Sequence, residues 1–302
     1  MLRRLAIVLD SIKFAHSIFA LPFALLAMIV AAEGWPPLRV VVPIIVCMVS
    51  ARSAAMGFNR LVDRDIDPAN PRTSSRPTVT GAVSPAFLSA FVTISAAIFW
   101  ASAWFLNPIC FALALPVLAI LLGYSLSKRF TSLCHFWLGL ALGLAPVAAH
   151  LAVRGDLAPL PGLGQRWDLN LEVFPLLLGI TVLLWVAGFD LIYACQDYDV
   201  DVQDPRLHSM PKRIGIRNTL ILSAALHALS FVLLAANGWY AGMGAWYYLA
   251  VALAGALLFY EHWIVRPHDL SRINVAFFTL NGAVSLLLFL AVLVERVLLR
   301  RA

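Results

Sequence analysis

The sequence predicts an all-α integral membrane protein with nine transmembrane helices. Its mean hydropathy is +0.87, and only 13% of its residues are charged. That composition excludes an ordinary soluble domain, which needs a charged surface. Apolar segments near the roughly 20 residues that cross a bilayer recur along the whole chain. Each span must be helical, because lipid offers no partner to open backbone groups.

Nine apolar segments are candidate spans. The first, Phe14–Ala32, follows a basic start and could be taken for a signal peptide, but many similar segments follow it, so we interpret it as a span. The whole chain, 1–302, is expected to be one transmembrane domain. The predicted spans are 11–32, 38–62, 84–106, 108–126, 132–153, 173–200, 214–236, 239–260 and 273–296.

The basic residues predict the orientation of the chain. With a cytoplasmic N-terminus, fifteen of the 22 Lys and Arg residues fall on the cytoplasmic side and six on the opposite side. This asymmetry follows the positive-inside rule and favours a multi-pass protein of a bacterial inner membrane. The net charge of +6 is therefore a topology signal. No basic soluble face interleaved with aromatics indicates nucleic-acid binding.

Half of the sixteen carboxylates lie in two short windows, one after the second span and one around the end of the sixth. Both windows fall on the predicted cytoplasmic side and are four spans apart. This layout suggests two pseudo-repeated halves, roughly 1–153 and 173–302. The eight residues are Asp63, Asp65, Asp67, Asp190, Asp197, Asp199, Asp201 and Asp204.

The spacing inside each window indicates a cation site. Asn59, Asp63 and Asp67 are four residues apart, and Asp197 and Asp201 have the same spacing, so on a helix each set shares one face. A row of carboxylates repels itself unless a cation lies among them. Oxygen ligands suit Mg²⁺, which completes its shell with waters and phosphates. Two facing rows would thus bind a diphosphate through Mg²⁺. The alternative is that these are solvated helix ends.

Basic residues close to both windows are candidates for binding the same diphosphate. Guanidinium and ammonium groups neutralise phosphate oxygens that a metal leaves free. The positive-inside rule alone is the alternative explanation for each of them. The candidates are Arg72, Arg76, Lys128, Arg129 and Lys212, with Arg213 and Arg217 as further choices after the second window.

Four ordered motifs resemble the UbiA superfamily of intramembrane aromatic prenyltransferases. The family's NDxxDxxxD element is matched by Asn59, Asp63 and Asp67, and its DxxxD element by Asp197 and Asp201. "RTSSRPTVTG" and "YSLSKRFT" match two further family stretches. The nearest branches prenylate 4-hydroxybenzoate for ubiquinone or, in UbiA-like relatives, a dihydroxynaphthoate in the futalosine route to menaquinone.

Two departures from the family pattern are visible. Arg60 replaces the aspartate of the family's "ND", which removes one carboxylate but leaves the four-residue spacing intact. After the second window, "VQDPRLHSMPKRIGIRNT" displaces the typical "IGIKST", so the basic residue on that side is not assigned by the resemblance.

The resemblance implies nine helices around a central cavity that faces the cytoplasm, with Mg²⁺ as cofactor. The partners it implies are a polyprenyl diphosphate, an aromatic acid and the lipid bilayer. It further implies that Arg52 binds the acid's carboxylate and that Asp190 orients or deprotonates the phenol. A structural ion pair for Arg52 and a packing hydrogen bond for Asp190 are the alternatives.

Three other functions remain open at this point. The acceptor could be 4-hydroxybenzoate, which is the favoured choice, or 1,4-dihydroxy-6-naphthoate. Another enzyme of the same fold would use a chlorophyll, haem or lipid acceptor. A cation-coupled transporter would place carboxylates near the membrane midplane on broken helices. The chain length of the isoprenoid is not specified by the sequence.

Overall fold

The computed structural model describes residue 8, residues 19–155 and residues 169–299; these form helices joined by turns and loops, with no β-strand among them. The fold class predicted from the sequence is therefore confirmed. The helices are α1 (Leu21–Ala31), α2 (Leu38–Val62), α3 (Pro85–Trp104), α4 (Pro108–Ser127), α5 (Cys134–Arg154), α6 (Leu169–Ala194), α7 (Tyr198–Gln203), α8 (Met210–Tyr240), α9 (Ala245–Ile264) and α10 (Asn281–Leu293).

Eight of the described helical segments are long and apolar enough to cross a membrane, and α1 is a shorter apolar helix. They agree with the nine predicted spans, apart from the start of span 11–32, which lies outside the described residues. The predicted start at residue 214 falls beside a break in α8, where Gly215 adopts φ 80° and ψ 159°. A positive φ is free of strain only for glycine. The membrane-spanning part of α8 therefore follows Gly215, and its first turn is a separate segment.

From α2 to α10 the helices pack in chain order, with α7 as a short connection. α2 packs against α3 and α4, α6 lies between α5 and α8, and α9 joins α8 to α10. α1 packs against both α10 and α5 and so closes the helices from α5 to α10 into a ring, beside which α2, α3 and α4 pack. The apolar core of the ring contains the fully buried aromatic side chains of Phe174, Trp185, Phe189 and Tyr247.

α5 and α6 cross in direct backbone contact. A Cβ added to Gly143 would lie 2.5 Å from the carbonyl oxygen of Gly179, and one added to Gly139 would overlap the carbonyl oxygen of Leu183. Small residues allow this approach in membrane helices, where van der Waals packing replaces the hydrophobic effect as the force between helices. The crossing fixes the positions of the two helices that begin and end at the polar side of the bundle.

A π-helical segment, Val275–Leu280, precedes α10. Such a segment leaves carbonyl groups displaced from ordinary helical partners. The side chain of Asn281 donates one hydrogen bond to the carbonyl of Ala276 and one to Glu261, both at 3.0 Å. These bonds stabilise the wider turn, which carries Phe277 and Phe278 to the wall of the cavity described below.

Candidate active site

Two connected cavities lie among the helices. The polar cavity has a volume of about 740 Å³ and is lined by five of the eight carboxylates of the two acidic windows. The apolar cavity, about 220 Å³, lies between α2, α3, α4 and α5. Both cavities are lined by Arg52, Met56, Asn59, Tyr124, Leu138 and Leu142. One continuous space therefore has a charged end and an apolar end.

Two carboxylates of the first acidic window, Asp63 and Asp67, are buried, and each has a basic partner. Asp63 and Asp67 are only 2% and 3% exposed. Lys128 and Asn59 each donate to Oδ2 of Asp63 at 2.9 Å. Arg76 donates to both carboxylate oxygens of Asp67, at 2.6 and 2.8 Å. Burying a carboxylate this deeply without a partner would cost a large free energy, so these ion pairs are needed for the fold.

In the second window Asp197 is less buried, and its hydrogen-bond partners come from the loop that follows the first window. The side chain of Asp197 is 18% exposed. Arg72 binds it with two hydrogen bonds, from Nε at 3.0 Å and from Nη2 at 2.6 Å. Asn70 donates a third at 2.8 Å. Asp201 also lines the cavity and is hydrogen-bonded by Ser209. The loop that follows α2 thus connects the two windows.

The expectation of two uninterrupted helical faces is wrong in both windows. α2 ends at Val62, and 3₁₀ turns follow at Asp63–Asp65 and Asp67–Ala69. Pro68 disfavours the helical conformation of the residue before it, so the helix cannot continue through Asp67. In the second window a 3₁₀ turn, Cys195–Asp197, separates α6 from α7. All five predicted metal-site residues nevertheless line the polar cavity.

Three of the five predicted diphosphate-binding residues line the cavity: Arg72, Arg76 and Lys128. Arg129 does not: it donates to Asp65 and to the carbonyl of Val62, and its Nη2 lies 3.9 Å from Oδ1 of Asp63. Lys212 does not either, because its ammonium group donates to the carbonyls of Asp204 and Leu207, at 2.8 Å each. Both residues thus connect loops at the cavity's rim, and diphosphate binding by Arg129 and Lys212 stays a prediction.

Arg52 lies where the two cavities join. It forms no hydrogen bond or ion pair with any residue that the structure describes, and its Nε is buried without a partner. The alternative role considered above, a structural ion pair, therefore finds no support within the described chain. A guanidinium inside a membrane helix needs an anion, and the shared lining of the cavities leaves room for one.

Asp190 lines the polar cavity and its side chain is 14% exposed. Its Oδ2 lies 2.7 Å from Nδ1 of His135, the second residue of α5. Asp190 therefore has both a cavity-facing position and a buried partner. The predicted packing role and the predicted catalytic role are compatible with this placement.

Sequence reasoning missed several residues of the site. Arg60 lines the cavity and donates to Oδ1 of Asn59 at 2.9 Å, so the replacement in the family motif adds a cation to the site. Asn70 binds Asp197, and the hydroxyl of Tyr193 accepts from Arg72 at 3.4 Å. His135 could have been found from its place just after "YSLSKRFT"; the other contacts join distant segments and leave no local pattern.

An aromatic wall faces the carboxylates, formed by Phe19, Phe189, Tyr193, Phe277 and Phe278. The rings of Tyr193 and Phe277 lie 4.1 Å apart between centroids, and those of Phe277 and Phe278 lie 4.6 Å apart in an edge-to-face arrangement. The guanidinium of Arg72 lies 5.3 Å from the centroid of Tyr193. Aromatic faces attract cations, so this wall favours positive charge inside the polar cavity.

The oxygen-rich donor set suits a hard divalent cation such as Mg²⁺. Oδ1 of Asp63 is buried and accepts no hydrogen bond, so one carboxylate oxygen is available to a ligand. In the described part of the chain, no three His, Cys, Asp or Glu side chains converge as a metal cage would require. The residues therefore fit an ion that takes most of its ligands from water and phosphate.

The apolar helices and the joined cavities define an integral membrane protein whose internal site has one charged end and one apolar end. The model of the UbiA prenyltransferase family matches residues 20–291. The chain therefore belongs to that family, as its motifs predicted, and it is an enzyme of the prenyltransferase class.

Curated relatives of similar length support the same assignment. The 4-hydroxybenzoate octaprenyltransferase of Alkalilimnicola ehrlichii is 29% identical over 274 residues, which are 88% of this chain and 85% of the relative. The enzyme of that name from Xanthomonas oryzae pv. oryzae is 33% identical over 270 residues, 89% of this chain and 84% of the relative.

Solved structures show the same fold. A UbiA homologue from Aeropyrum pernix K1, in its apo form, superposes with a TM-score of 0.82 and 34% identity, covering 93% of this chain and 98% of that one. A UbiA homologue from Archaeoglobus fulgidus, bound to GPP and Mg²⁺, gives a TM-score of 0.70 with 19% identity, covering 95% and 99%.

Proposed function

We propose that the protein transfers a polyprenyl group from a polyprenyl diphosphate to a ring carbon of an aromatic acid, with Mg²⁺ as cofactor. The acid we place first is 4-hydroxybenzoate, and the second is 1,4-dihydroxy-6-naphthoate, in ubiquinone or menaquinone biosynthesis respectively. The observation that carries the proposal is Arg52, a cation without a partner among the described residues, at the junction of a charged and an apolar cavity. It is suited to a carboxylate on a substrate that must also meet the prenyl chain.

The donor's diphosphate is proposed to bind in the polar cavity. Asn59, Asp63, Asp67, Asp197 and Asp201 would hold the metal, which supplies charge neutralisation to the leaving diphosphate. Arg72, Arg76 and Lys128 now neutralise these carboxylates. A diphosphate with its metal would exchange partners with them: the metal takes the carboxylates and the basic groups take phosphate oxygens. The ion pairs of the free protein thus match a site that binds both components together.

The donor's chain is proposed to lie in the apolar cavity. The bilayer is as apolar as this cavity, so the chain can enter it from lipid without a polar penalty but gains no hydrophobic energy over lipid. When the C–O bond to diphosphate breaks, an allylic cation remains. The aromatic wall stabilises it, and the apolar lining excludes water that would form a prenyl alcohol.

The acceptor is proposed to be held at two points. Arg52 binds its carboxylate, and Asp190 accepts a hydrogen bond from its phenolic hydroxyl, which raises the electron density of the neighbouring ring carbon. That carbon forms the new C–C bond with the allylic cation, and the ring hydrogen leaves as a proton to restore aromaticity. A lipid acceptor without a carboxylate would leave Arg52 unpaired, which is the argument against that alternative.

We further propose that the N-terminus is cytoplasmic and that the polar cavity opens to the cytoplasm. The basic loops around the two acidic windows support this orientation. The two-fold layout of the windows supports two pseudo-repeated halves, 1–153 and 173–302, within one domain.

The test uses the purified full chain in detergent with MgCl₂ and a radiolabelled polyprenyl diphosphate. 4-Hydroxybenzoate and 1,4-dihydroxy-6-naphthoate are offered in parallel, beside a lipid acceptor. The variants Asp63→Ala and Asp197→Ala are compared with Asp65→Ala and Asp199→Ala, which alter exposed acids of the same windows outside the cavity lining. Magnesium-dependent transfer to one acid, lost in the first pair and kept in the second, is the expected result.

Arg52→Met tests the acceptor site separately. Loss of a charge-assisted pair should raise KM for the acid by roughly 10- to 100-fold and leave the Kd of the diphosphate unchanged. Transfer to the lipid alone would replace the proposed acceptor. Absence of diphosphate binding in folded protein would reject the proposed role of the carboxylates.

A further inference from the structure

We propose that His135 is a positioning residue that fixes Asp190 as a hydrogen-bond acceptor facing the acceptor site. The inference rests on the proposed function, since it assigns a partner to the carboxylate that would hold the phenol. It adds a residue that lies outside the acidic motifs and outside the basic loops.

His135 is buried and touches three separate segments of the site. Its side chain is 4% exposed. It begins α5, its Nδ1 lies 2.7 Å from Oδ2 of Asp190 on α6, and its Nε2 accepts a hydrogen bond from the backbone N–H of Met210, at 3.3 Å, where α8 begins. One imidazole therefore connects α5, α6 and α8 at the polar cavity.

These contacts determine which ring nitrogen carries the proton. A backbone N–H can only donate, so Nε2 must present its lone pair to Met210. The neutral ring then carries its hydrogen on Nδ1, which donates it to Asp190. The fixed donor of Met210 thus sets the tautomer that binds the carboxylate.

The bond to His135 leaves the other oxygen of Asp190 for a substrate. Asp190 lines the cavity, and its Oδ1 forms no hydrogen bond with the described residues. With Oδ2 occupied, the carboxylate cannot rotate freely, and Oδ1 keeps one direction into the cavity. Partners of this kind typically change activity by 10- to 100-fold when they are removed from comparable sites.

His135 could instead serve only the backbone of Met210, and two substitutions separate the two roles. His135→Asn places an amide nitrogen close to the position of Nδ1, so it can still donate to Asp190 but cannot reach Met210. His135→Gln reaches toward the position of Nε2 and can accept from Met210, but it leaves Asp190 without its donor. Both substitutions remove the packing of the imidazole ring. A folding defect from lost packing should therefore affect the two variants equally.

The first measurement is the ratio of prenylated acid to free prenyl alcohol formed from a radiolabelled polyprenyl diphosphate and 4-hydroxybenzoate. This ratio does not depend on the fraction of folded enzyme. We expect His135→Asn to stay within about 3-fold of the wild-type ratio and kcat, and His135→Gln to lower both by at least about 10-fold with the Kd of the diphosphate unchanged. Equal loss in both variants, or loss in His135→Asn alone, overturns the positioning role.

The second measurement needs no turnover. In protein labelled with ¹⁵N-histidine, the resonances that disappear in His135→Asn identify the ring, and their shifts show which nitrogen is protonated. A hydrogen on Nδ1 is expected, and a hydrogen on Nε2 rejects the inference. If the wild-type protein prenylates neither acid, the proposed function fails while this spectrum still decides the state of His135.

Discussion

The two acidic windows have the same spacing in sequence but differ in depth and in the origin of their partners. Asp63 and Asp67 are almost completely buried. Asp63 pairs with Lys128 from a different loop, and Asp67 pairs with Arg76 from its own loop. Asp197 is shallower, and both of its partners come from the loop of the first window. A repeated motif has thus become one buried wall and one more open wall of a single cavity.

The difference teaches that similar motifs need not have equal roles. A buried carboxylate depends on each partner, because water cannot replace a lost contact. A partly exposed carboxylate can exchange a protein partner for water. We therefore expect the first window to be the less tolerant of substitution, and the predictions below test this order.

The largest effect is expected for Asp63→Ala. It removes a proposed metal ligand and leaves Lys128 and Asn59 without their shared acceptor in a buried place. Transfer should fall by about 10³-fold or more, measured as product formation from a radiolabelled donor at saturating Mg²⁺. Asp65→Ala, which alters an exposed neighbour, should stay within about 3-fold. Similar losses in both variants would show that the loop's fold, and not the site, is affected.

Asp197→Ala should be the milder of the two ligand removals, at about 10²-fold, because water can reach this part of the cavity. Asp199→Ala is the matched control, since Asp199 is exposed and lies outside the cavity lining. If Asp197→Ala were less active than Asp63→Ala, the proposed order of the two windows would be reversed.

Arg72 connects the windows, and its replacement tests whether they act together. Arg72→Gln removes both bonds to Asp197, and Arg72→Lys keeps the charge but not the two-pronged geometry. We expect KM for the diphosphate to rise by roughly 10-fold in both, with the lysine variant only slightly better. Full activity of the lysine variant would mean that charge alone suffices.

The smallest effect concerns the ion pair of Asp204 with the exposed Arg206 at the end of the second window. Hydrogen bonds and the charge of Arg206 lower the pKa of Asp204 to about 2. Because the folded pKa lies below the unfolded value near 3.9, the pair stabilises the fold above about pH 4 and ceases to do so as the pH falls toward 2. Asp204→Asn should therefore lower Tm by no more than about 2 °C at pH 7, with a smaller difference at pH 3. A difference that grows on acidification would contradict the pairing.

The sequence predicted the helical class, the spans and the acids of the cavity, because hydropathy and motif spacing are local signals. It placed the end of the second span at residue 62, where α2 ends, but it did not predict the 3₁₀ turns that follow or the binding of Lys212 to carbonyl groups at the rim. It also missed the pairing of Arg72 with Asp197, which are 125 residues apart, and the contact of His135 with Asp190. Such pairings depend on how the helices pack, and no periodicity in a single chain encodes them.

The backbone contact between α5 and α6 has a consequence for the departure of product. With glycines facing carbonyl groups, these two helices can neither slide nor separate without losing their closest packing. The apolar cavity lies on the other side of α5, where α2, α3 and α4 separate it from the lipid. A long-chain product should leave there by lateral diffusion into the bilayer, so that lipid viscosity becomes a determinant of turnover.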